Sequence, residues 1–187
     1  MPHQHMNSDN TSYGLLMYRT VRGFLQVFLA RNGGPFFAKK DAGAWGIPKG
    51  GAHKYEKNPL QTAIREFIEE TGLIPNGPYI PLGPITYKTG KTVYAWAFEY
   101  HEATEPHIVS NTFQLEWPRP SKASRDGGPR PSKASGNGKP PKSGNMRTYP
   151  EIDKAQFFTI QQAHEKMLEA QKPFVQRLEE HLRSNMK

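Results

Sequence analysis

The chain has 187 residues, of which 35% are hydrophobic, and it carries a formal net charge of +8. It has no cysteine, which excludes disulfides and thiolate chemistry and fits a cytoplasmic protein. No apolar run approaches transmembrane length, so we expect a soluble protein without membrane contact; the mean hydropathy of −0.76 indicates that a good part of the chain lies outside its core.

The first segments in chain order are a polar tail and a strand pair. Residues 1–11 carry histidines but no apolar stretch, and we expect them to be disordered. A single domain is then predicted over residues 12–187. Apolar residues at 14–18 and 24–30 predict two strands with a turn between them, and glycines with a proline at 32–35 predict a loop.

A helix is predicted between Asn58 and Gly72, because both of its ends carry strong local signals. Asn58 is a good N-cap, Pro59 suits the first helical position, and Gly72 suits the left-handed residue that ends a helix. The helix has about three and a half turns. Its core-facing stripe consists of Leu60, Ala63, Ile64, Phe67 and Thr71.

The same helix carries a cluster of acids. Glu66, Glu69 and Glu70 stand at i, i+3 and i+4, so their carboxylates share one face and repel one another unless cations lie among them. Hard oxygen ligands at this density suit Mg²⁺, with Mn²⁺ as the alternative. Arg65 can reach Glu69 at i+4 and hold the Glu69 side chain in one rotamer. The Gly50–Gly51 pair lets backbone carbonyls approach the same metal, because glycine has no Cβ. A lone glutamate on such a face is usually solvated, so the argument rests on the whole group.

These residues stand in a long pattern: Gly51, five residues, residue 57, seven residues, then Arg-Glu-apolar-X-Glu-Glu-X-Gly-apolar. This segment closely resembles the Nudix box of the Nudix hydrolase family. The matching positions are Gly51, Arg65, Glu66, Phe67, Glu69, Glu70, Gly72 and Leu73. One position departs, since Lys57 stands where the family has its first glutamate; the adjacent Glu56 is the candidate substitute.

Two further strands are predicted at 79–87 and 91–100. The second has apolar residues on both faces, which predicts a central strand covered on both sides. This agrees with the fold that the resemblance implies, an α/β protein in which a mixed central sheet lies between helices as an α/β/α sandwich.

The resemblance also implies substrate-binding residues. The segments 45–50 and 91–99 look like those of the diadenosine tetraphosphate hydrolase branch of the family, which implies that Lys91 binds a substrate phosphate and that Lys49 helps. We predict that Trp45 stacks on a base, with core packing as the alternative. Elements at 33–36, 39–41, 110–118 and 172–174 resemble a group of bacterial Nudix proteins. The family commonly uses one acid from outside the box as a further metal ligand or as the general base, and Glu116 is the candidate, with Glu99 second. The alternative for each is an ordinary salt-bridged carboxylate.

Residues 118–147 differ from the rest of the chain. They contain six prolines and the repeated sequence Pro-Arg-Pro-Ser-Lys-Ala-Ser, and they cannot bury enough apolar surface to fold alone. Eight Lys/Arg against one Asp give this insert +7, which leaves the other 157 residues at +1. We expect a flexible basic loop, with nonspecific polyanion contact as one role. After it, the sequence predicts a short strand, a helix capped by Thr159 and Gln162 that runs to about Ala170, and a helix beginning at Pro173.

The sequence therefore predicts a Mg²⁺-dependent hydrolase that cleaves the pyrophosphate linkage of a nucleoside diphosphate-linked small molecule. A dinucleoside polyphosphate is the first choice of substrate, followed by nucleotide sugars, ADP-ribose and nucleoside triphosphates. The alternative from another class is a non-catalytic Nudix module that binds nucleotide or RNA.

Overall fold

The computed structural model describes residues 10–35, 40–102, 104–117 and 145–185, and gives only the backbone of Glu116, Trp117 and Asn145. The predicted disordered tail, except for its last two residues, and the predicted flexible insert, except for 145–147, lie outside the described residues. The chain divides into a larger unit, Met1–Asn111 with Pro150–Lys187, and a smaller unit, Thr112–Tyr149.

The elements follow one another in this order: β1 (Thr11–Val21), β2 (Phe24–Asn32), β3 (Trp45–Gly46), β4 (Lys49–Gly50), α1 (Pro59–Thr71), β5 (Ile80–Thr86), β6 (Thr92–Glu99), β7 (Thr112–Trp117), β8 (Asn145–Pro150), β9 (Ile152–Thr159), α2 (Ile160–Lys166) and α3 (Lys172–Asn185), with a 3₁₀ turn at Glu169–Gln171. None of the helices in the described ranges has the length and apolar character needed to cross a bilayer.

A mixed sheet forms the centre of the larger unit. Its strand order is β3-β2-β1-β6-β5, with β4 also paired to β1 and β9 also paired to β2. β1 and β6 run parallel from Thr11↔Thr92 to Tyr18↔Glu99, while the other pairs are antiparallel. β7 and β8 pair with each other in a separate two-stranded sheet. The predicted α/β class with a mixed central sheet is confirmed.

Helices cover both faces of the large sheet, because its central strands are apolar on both sides. The α1 side has a core of Tyr13, Leu15, Met17, Phe28, Ala63, Phe67, Phe98 and Phe157. On the other side, residues of α2 and α3 such as Ala163, Phe174 and Leu178 pack on Leu16, Val27 and Val93. Successive residues of a strand point to opposite faces, so β1 and β6 contribute to both cores, as the sequence predicts for β6.

Some predicted boundaries are wrong. β8 begins at Asn145, so the last three residues of the predicted loop belong to a strand. α2 ends at Lys166, because Met167 is extended, whereas a helix to about residue 170 was expected. The helix α1 is confirmed at both ends: the Asn58 side chain accepts from the backbone N–H groups of Leu60 and Gln61, and Gly72 is left-handed with φ 74°.

Candidate active site

Arg65 joins the loop before α1 to the helix itself. Its Nε and Nη2 donate to the two carboxylate oxygens of Glu56 at 2.7 and 3.0 Å. Its Nη1 donates to Glu69 at 2.7 Å, as the i,i+4 spacing predicts, and Nη2 lies 3.0 Å from Glu66. Nη2 also donates to the Gly51 carbonyl at 2.9 Å. One guanidinium therefore holds the loop backbone and three carboxylates together.

Glu56 is the anchor of this loop. Besides the two bonds from Arg65, its carboxylate accepts from the His53 N–H at 2.7 Å and from the Thr62 hydroxyl at 3.3 Å. The hydrogen bonds from Arg65, aided by the others, hold the pKa of Glu56 at about 2. Lys57 is exposed and has no ion pair with any described residue. The loop glutamate that pairs with Arg65 is therefore Glu56, one position before the place where the motif spacing counted from Gly51 expects it.

The two loop glycines differ in their surroundings. A Cβ added to Gly50 would collide with the carboxylate of Glu66, whereas a Cβ on Gly51 would meet nothing closer than the Thr11 carbonyl at 3.9 Å. Gly50 therefore allows the close approach of the Glu66 carboxylate to the loop. Gly50 also lies six positions before Glu56, which is the spacing that the motif requires between its first glycine and first glutamate. Counted from Gly50, the box carries one extra residue before Arg65.

Glu66 and Glu70 form the buried part of the acid cluster. Burial is the main cause that raises the pKa of Glu66, and Arg65 opposes it. Burial also raises the pKa of Glu70 to about 7, against the opposing charge of Lys49. The Lys49 backbone N–H donates to Glu70 Oε2 at 2.9 Å. Both carboxylates thus lie in surroundings that disfavour their negative charge unless a cation is bound.

Two lysines lie beside these carboxylates. Burial lowers the pKa of Lys49, while the charges of Glu70 and Glu66 act in the opposite direction. The charge of Lys91 also lowers the pKa of Lys49. β4 and β6 both pair with β1, with Lys49 opposite Gly14 and Thr92, which follows Lys91, opposite Thr11. Lys49 therefore lies beside Glu70, and Lys91 acts on it by charge from the start of β6.

Glu151 joins the cluster from the far end of the chain. Its N–H donates to the Asn111 carbonyl at 2.8 Å, and the Asn111 N–H donates to the Glu69 carbonyl of α1 at 3.2 Å. The Glu151 carbonyl accepts from the Gly33 N–H at 2.8 Å. A Cβ on Gly33 would collide with the Pro150 carbonyl, so the glycine is needed for this approach. These bonds fix residue 151 between β2 and the box helix.

The charge of Glu151 helps to raise the pKa of both Glu66 and Glu70. It is the acid from outside the box that the structure brings to this cluster, and sequence reasoning missed it. No spacing pattern marks it, since 80 residues separate it from Glu70. The sequence feature that points to it is its position directly before β9, the strand that pairs with β2 in the large sheet.

Two other predicted residues, Trp45 and Glu99, do not join the cluster. Trp45 is 3% exposed, packs against Phe158 with ring centroids 4.9 Å apart, and donates from Nε1 to Asp41 at 2.9 Å. Its faces are not open to a base, so we correct the stacking prediction to core packing. Glu99 is the last residue of β6 and pairs with Tyr18, whereas Thr92 is the first residue of the strand. At about 3.3 Å per residue, Glu99 lies about 23 Å along β6 from Thr92.

Glu116 belongs to β7 in the smaller unit, and its side chain lies outside what the structure describes. Its predicted part in the chemistry therefore stays a prediction.

The donor set fits a hard divalent cation by its chemistry. Glu66 and Glu70 supply carboxylate oxygens whose charged form is disfavoured by burial, and Gly50 exposes backbone beside Glu66. Within the described ranges, no three acidic or histidine side chains are already gathered as a metal-binding group. The described residues therefore have the chemistry of a divalent-cation site, but they do not form a complete set of metal ligands.

Comparisons with known proteins point to one family. The sequence model of the NUDIX domain matches residues 11–137 of this chain. No curated protein sequence matches it.

Solved structures share the fold at low identity. The NUDIX domain of Shewanella oneidensis NrtR, complexed with ADP ribose, is 10% identical with a TM-score of 0.56, covering 92% of this chain and 87% of its own. A C. elegans Ap4A hydrolase in a binary complex is 16% identical with a TM-score of 0.56, covering 92% and 98%. A NUDIX hydrolase from Listeria monocytogenes is 14% identical with a TM-score of 0.56, covering 94% and 95%.

Proposed function

We infer that this chain, which belongs to the NUDIX family and is a Nudix pyrophosphohydrolase, acts on the pyrophosphate linkage of a dinucleoside polyphosphate. The observation that carries this proposal is the juxtaposition of two kinds of charge. Burial disfavours the charge of the Glu66 and Glu70 carboxylates, and the positive charge of Lys49, beside Glu70, acts on both of them. Lys91 acts on Lys49 by charge, and lysine ammonium groups suit phosphate oxygens. Such a site can hold a metal and a phosphate chain at once.

The residues take distinct roles in this proposal. Mg²⁺, or Mn²⁺ in its place, would be held by Glu66, Glu69, Glu70 and a carbonyl of the Gly50–Gly51 pair. When bound, the ion supplies Lewis acidity that stabilises charge on the phosphoryl oxygens. Arg65 fixes the rotamer of Glu69 through its 2.7 Å bond and holds the loop carbonyl of Gly51 in place.

The remaining groups bind the substrate and activate water. Lys49 and Lys91 orient the phosphate chain by charge-assisted hydrogen bonds. An acid from outside the box accepts the proton of the water that attacks phosphorus. We propose Glu151 for this role ahead of Glu116, because backbone bonds hold Glu151 beside α1.

The choice of substrate rests on two supports. One is the resemblance of segments 45–50 and 91–99 to the diadenosine tetraphosphate hydrolase branch, and the other is the charge interaction between Lys49 and Lys91. ADP-ribose, nucleotide sugars and nucleoside triphosphates are the next choices. The basic insert, with its charge of +7, remains a proposed site of nonspecific polyanion contact.

The rival function, a non-catalytic module that binds nucleotide or RNA, rests on Lys57 at a motif position and on the basic insert. The pairing of Arg65 with Glu56 weakens the first of these supports, because the glutamate is displaced by one position rather than lost. Binding of nucleotide with equal affinity in EDTA, without turnover of any substrate, would support the rival.

A chromatographic turnover assay with Mg²⁺ tests the proposal. The panel is diadenosine tetraphosphate, ADP-ribose, a GDP-sugar and GTP, each with wild type, Glu70→Gln and the matched control Glu180→Gln, an exposed acid on α3. We expect asymmetric cleavage of the dinucleotide to ATP and AMP by wild type and Glu180→Gln, and loss of activity in Glu70→Gln. If the protein hydrolysed only another member of the panel, the choice of a dinucleoside polyphosphate would be wrong. If it hydrolysed no member with either Mg²⁺ or Mn²⁺, the proposed hydrolase activity would be refuted.

A second pair of variants assigns the outside acid. We expect Glu151→Gln to lower kcat by about a hundredfold, the usual effect of removing a general base, and Glu116→Gln to change it by less than about threefold. The reverse order of effects would return the role to Glu116.

A further inference from the structure

We propose that Lys54 and Lys57 form a cationic rim that binds the outer phosphates of a substrate with more than two phosphates, and so select for phosphate chain length. This inference rests on the proposed function and deepens it. It assigns a specificity role to the part of the box loop that departs from the family pattern.

The first support is a recess between the box loop and the start of α1. It encloses about 460 Å³ and is lined by loop residues 52–54, 56 and 57, by Pro59 and Thr62 of α1, and by Tyr13 of β1. That volume lies within the range of small-molecule sites. The recess is a preformed cavity, since its loop wall is held by the bonds of Glu56 to Arg65 and to the His53 N–H.

The second support is the charge of the recess. Glu56 is its one lining carboxylate, and Arg65 neutralises it through two hydrogen bonds. The side chains of Lys54 and Lys57 are exposed and form no ion pair with any described residue. Two lysines that form no ion pair with a described residue therefore line a cavity whose acid is already paired, which favours a polyanionic ligand.

The third support is the shift of the anchoring glutamate. Because Glu56 accepts the hydrogen bonds of Arg65, Lys57 does not take the place of the loop glutamate that anchors Arg65. Lys57 carries a positive charge at the position where the family pattern has a negatively charged glutamate. The extra residue of the box thus preserves the anchor and adds a cation to the rim.

The position of the recess along the loop connects it to the site. Gly50 lies against Glu66, and the recess begins two residues later at Ala52. Lys54 is four residues after Gly50, so its backbone lies at most about 14 Å from that of Gly50. The long, flexible lysine side chain can extend back toward a ligand bound at Gly50. Phosphates beyond the cleaved pyrophosphate would therefore extend along the loop toward Lys54 and Lys57.

The test compares substrates of different phosphate number. Wild type, the double variant Lys54→Ala/Lys57→Ala and the charge-matched control Lys154→Ala/Arg183→Ala are assayed with diadenosine tetraphosphate and with ADP-ribose. We expect the double variant to lose about tenfold in kcat/KM for the tetraphosphate, mainly through KM, and less than about twofold for ADP-ribose. The control should match wild type, and raising the salt should narrow the difference. Equal losses on both substrates, or no loss on either, would overturn the inference.

Binding of inorganic phosphates separates this inference from the proposed function. Calorimetric titrations with tripolyphosphate and pyrophosphate, in the presence of Mg²⁺, need no turnover. The double variant should bind tripolyphosphate about tenfold more weakly than wild type and pyrophosphate equally well. If wild type and the double variant bound tripolyphosphate equally well, the proposed rim would be overturned even for an active enzyme. If the double variant bound tripolyphosphate more weakly but wild type turned over no substrate, only the proposed function would be overturned.

Discussion

Replacing Glu56 with glutamine removes the negative charge that anchors the box loop to α1. Glutamine keeps the size of the side chain and can still accept hydrogen bonds through one oxygen. It loses the bidentate ion pair with Arg65, in which the two contacts are 2.7 and 3.0 Å. Because the Glu56 side chain is only 13% exposed, solvent screens this pair weakly.

The magnitude follows from the pKa of Glu56, which the structure lowers from 4.5 to about 2. At about 1.36 kcal/mol for each unit of pKa, the ionised carboxylate contributes about 3 kcal/mol to the free energy of unfolding at pH 7. The contribution is fully present above the unfolded pKa of 4.5 and is lost as the pH falls toward 2. At pH 3 about 1.4 kcal/mol of it remains.

Urea denaturation at pH 7 and pH 3 measures this contribution. We expect Glu56→Gln to be about 3 kcal/mol less stable than wild type at pH 7 and about half as much less stable at pH 3. The control Lys57→Gln changes the neighbouring exposed residue and should stay within about 0.5 kcal/mol of wild type at both values. A pH-independent difference, or a larger effect of Lys57→Gln than of Glu56→Gln, would refute the assignment of Glu56 as the anchor.

Three further substitutions probe the box and its helix. Gly50→Ala should lower kcat/KM by at least about tenfold, because the new methyl group displaces the Glu66 carboxylate, whereas Gly51→Ala should retain activity; steady-state kinetics with Mg²⁺ compares them. Phe67→Ala should destabilise the protein by about 3–5 kcal/mol in urea denaturation, because its ring is fully buried, and a loss under 1 kcal/mol would contradict that packing. Asn58→Ala should cost about 1 kcal/mol in the same assay by removing the cap of α1, and no loss would show that the cap is dispensable.

Local signals made α1 predictable from the sequence. A cap at Asn58, a proline at the first position and a glycine after Thr71 each act within a few residues, so no tertiary information is needed to place them. The contact between Arg65 and Glu69 was predictable for the same reason, since helical geometry alone brings i and i+4 together. The two-sided burial of β6 followed from its uninterrupted apolar pattern.

Contacts across the chain were beyond such reasoning. The motif spacing counted from Gly51 placed Lys57 at the glutamate position, and only the bonds of Arg65 identify Glu56. Glu151 reaches the cluster through backbone pairing with Asn111, a contact that no local pattern encodes. Trp45 stood next to the box in sequence, but sheet pairing and α2 bury it on the opposite face.

The central claim is that the carboxylates of the box helix serve the hydrolysis of a phosphoanhydride. The most direct measurement is hydrolysis of diadenosine tetraphosphate in oxygen-18-labelled water with Mg²⁺, followed by mass spectrometry of the products, for wild type and Glu70→Gln. We predict that wild type places one labelled oxygen on a product phosphate and that Glu70→Gln forms at least about a hundredfold less labelled product. Equal labelling by the two proteins, or no cleavage by wild type with either Mg²⁺ or Mn²⁺, would contradict the claim.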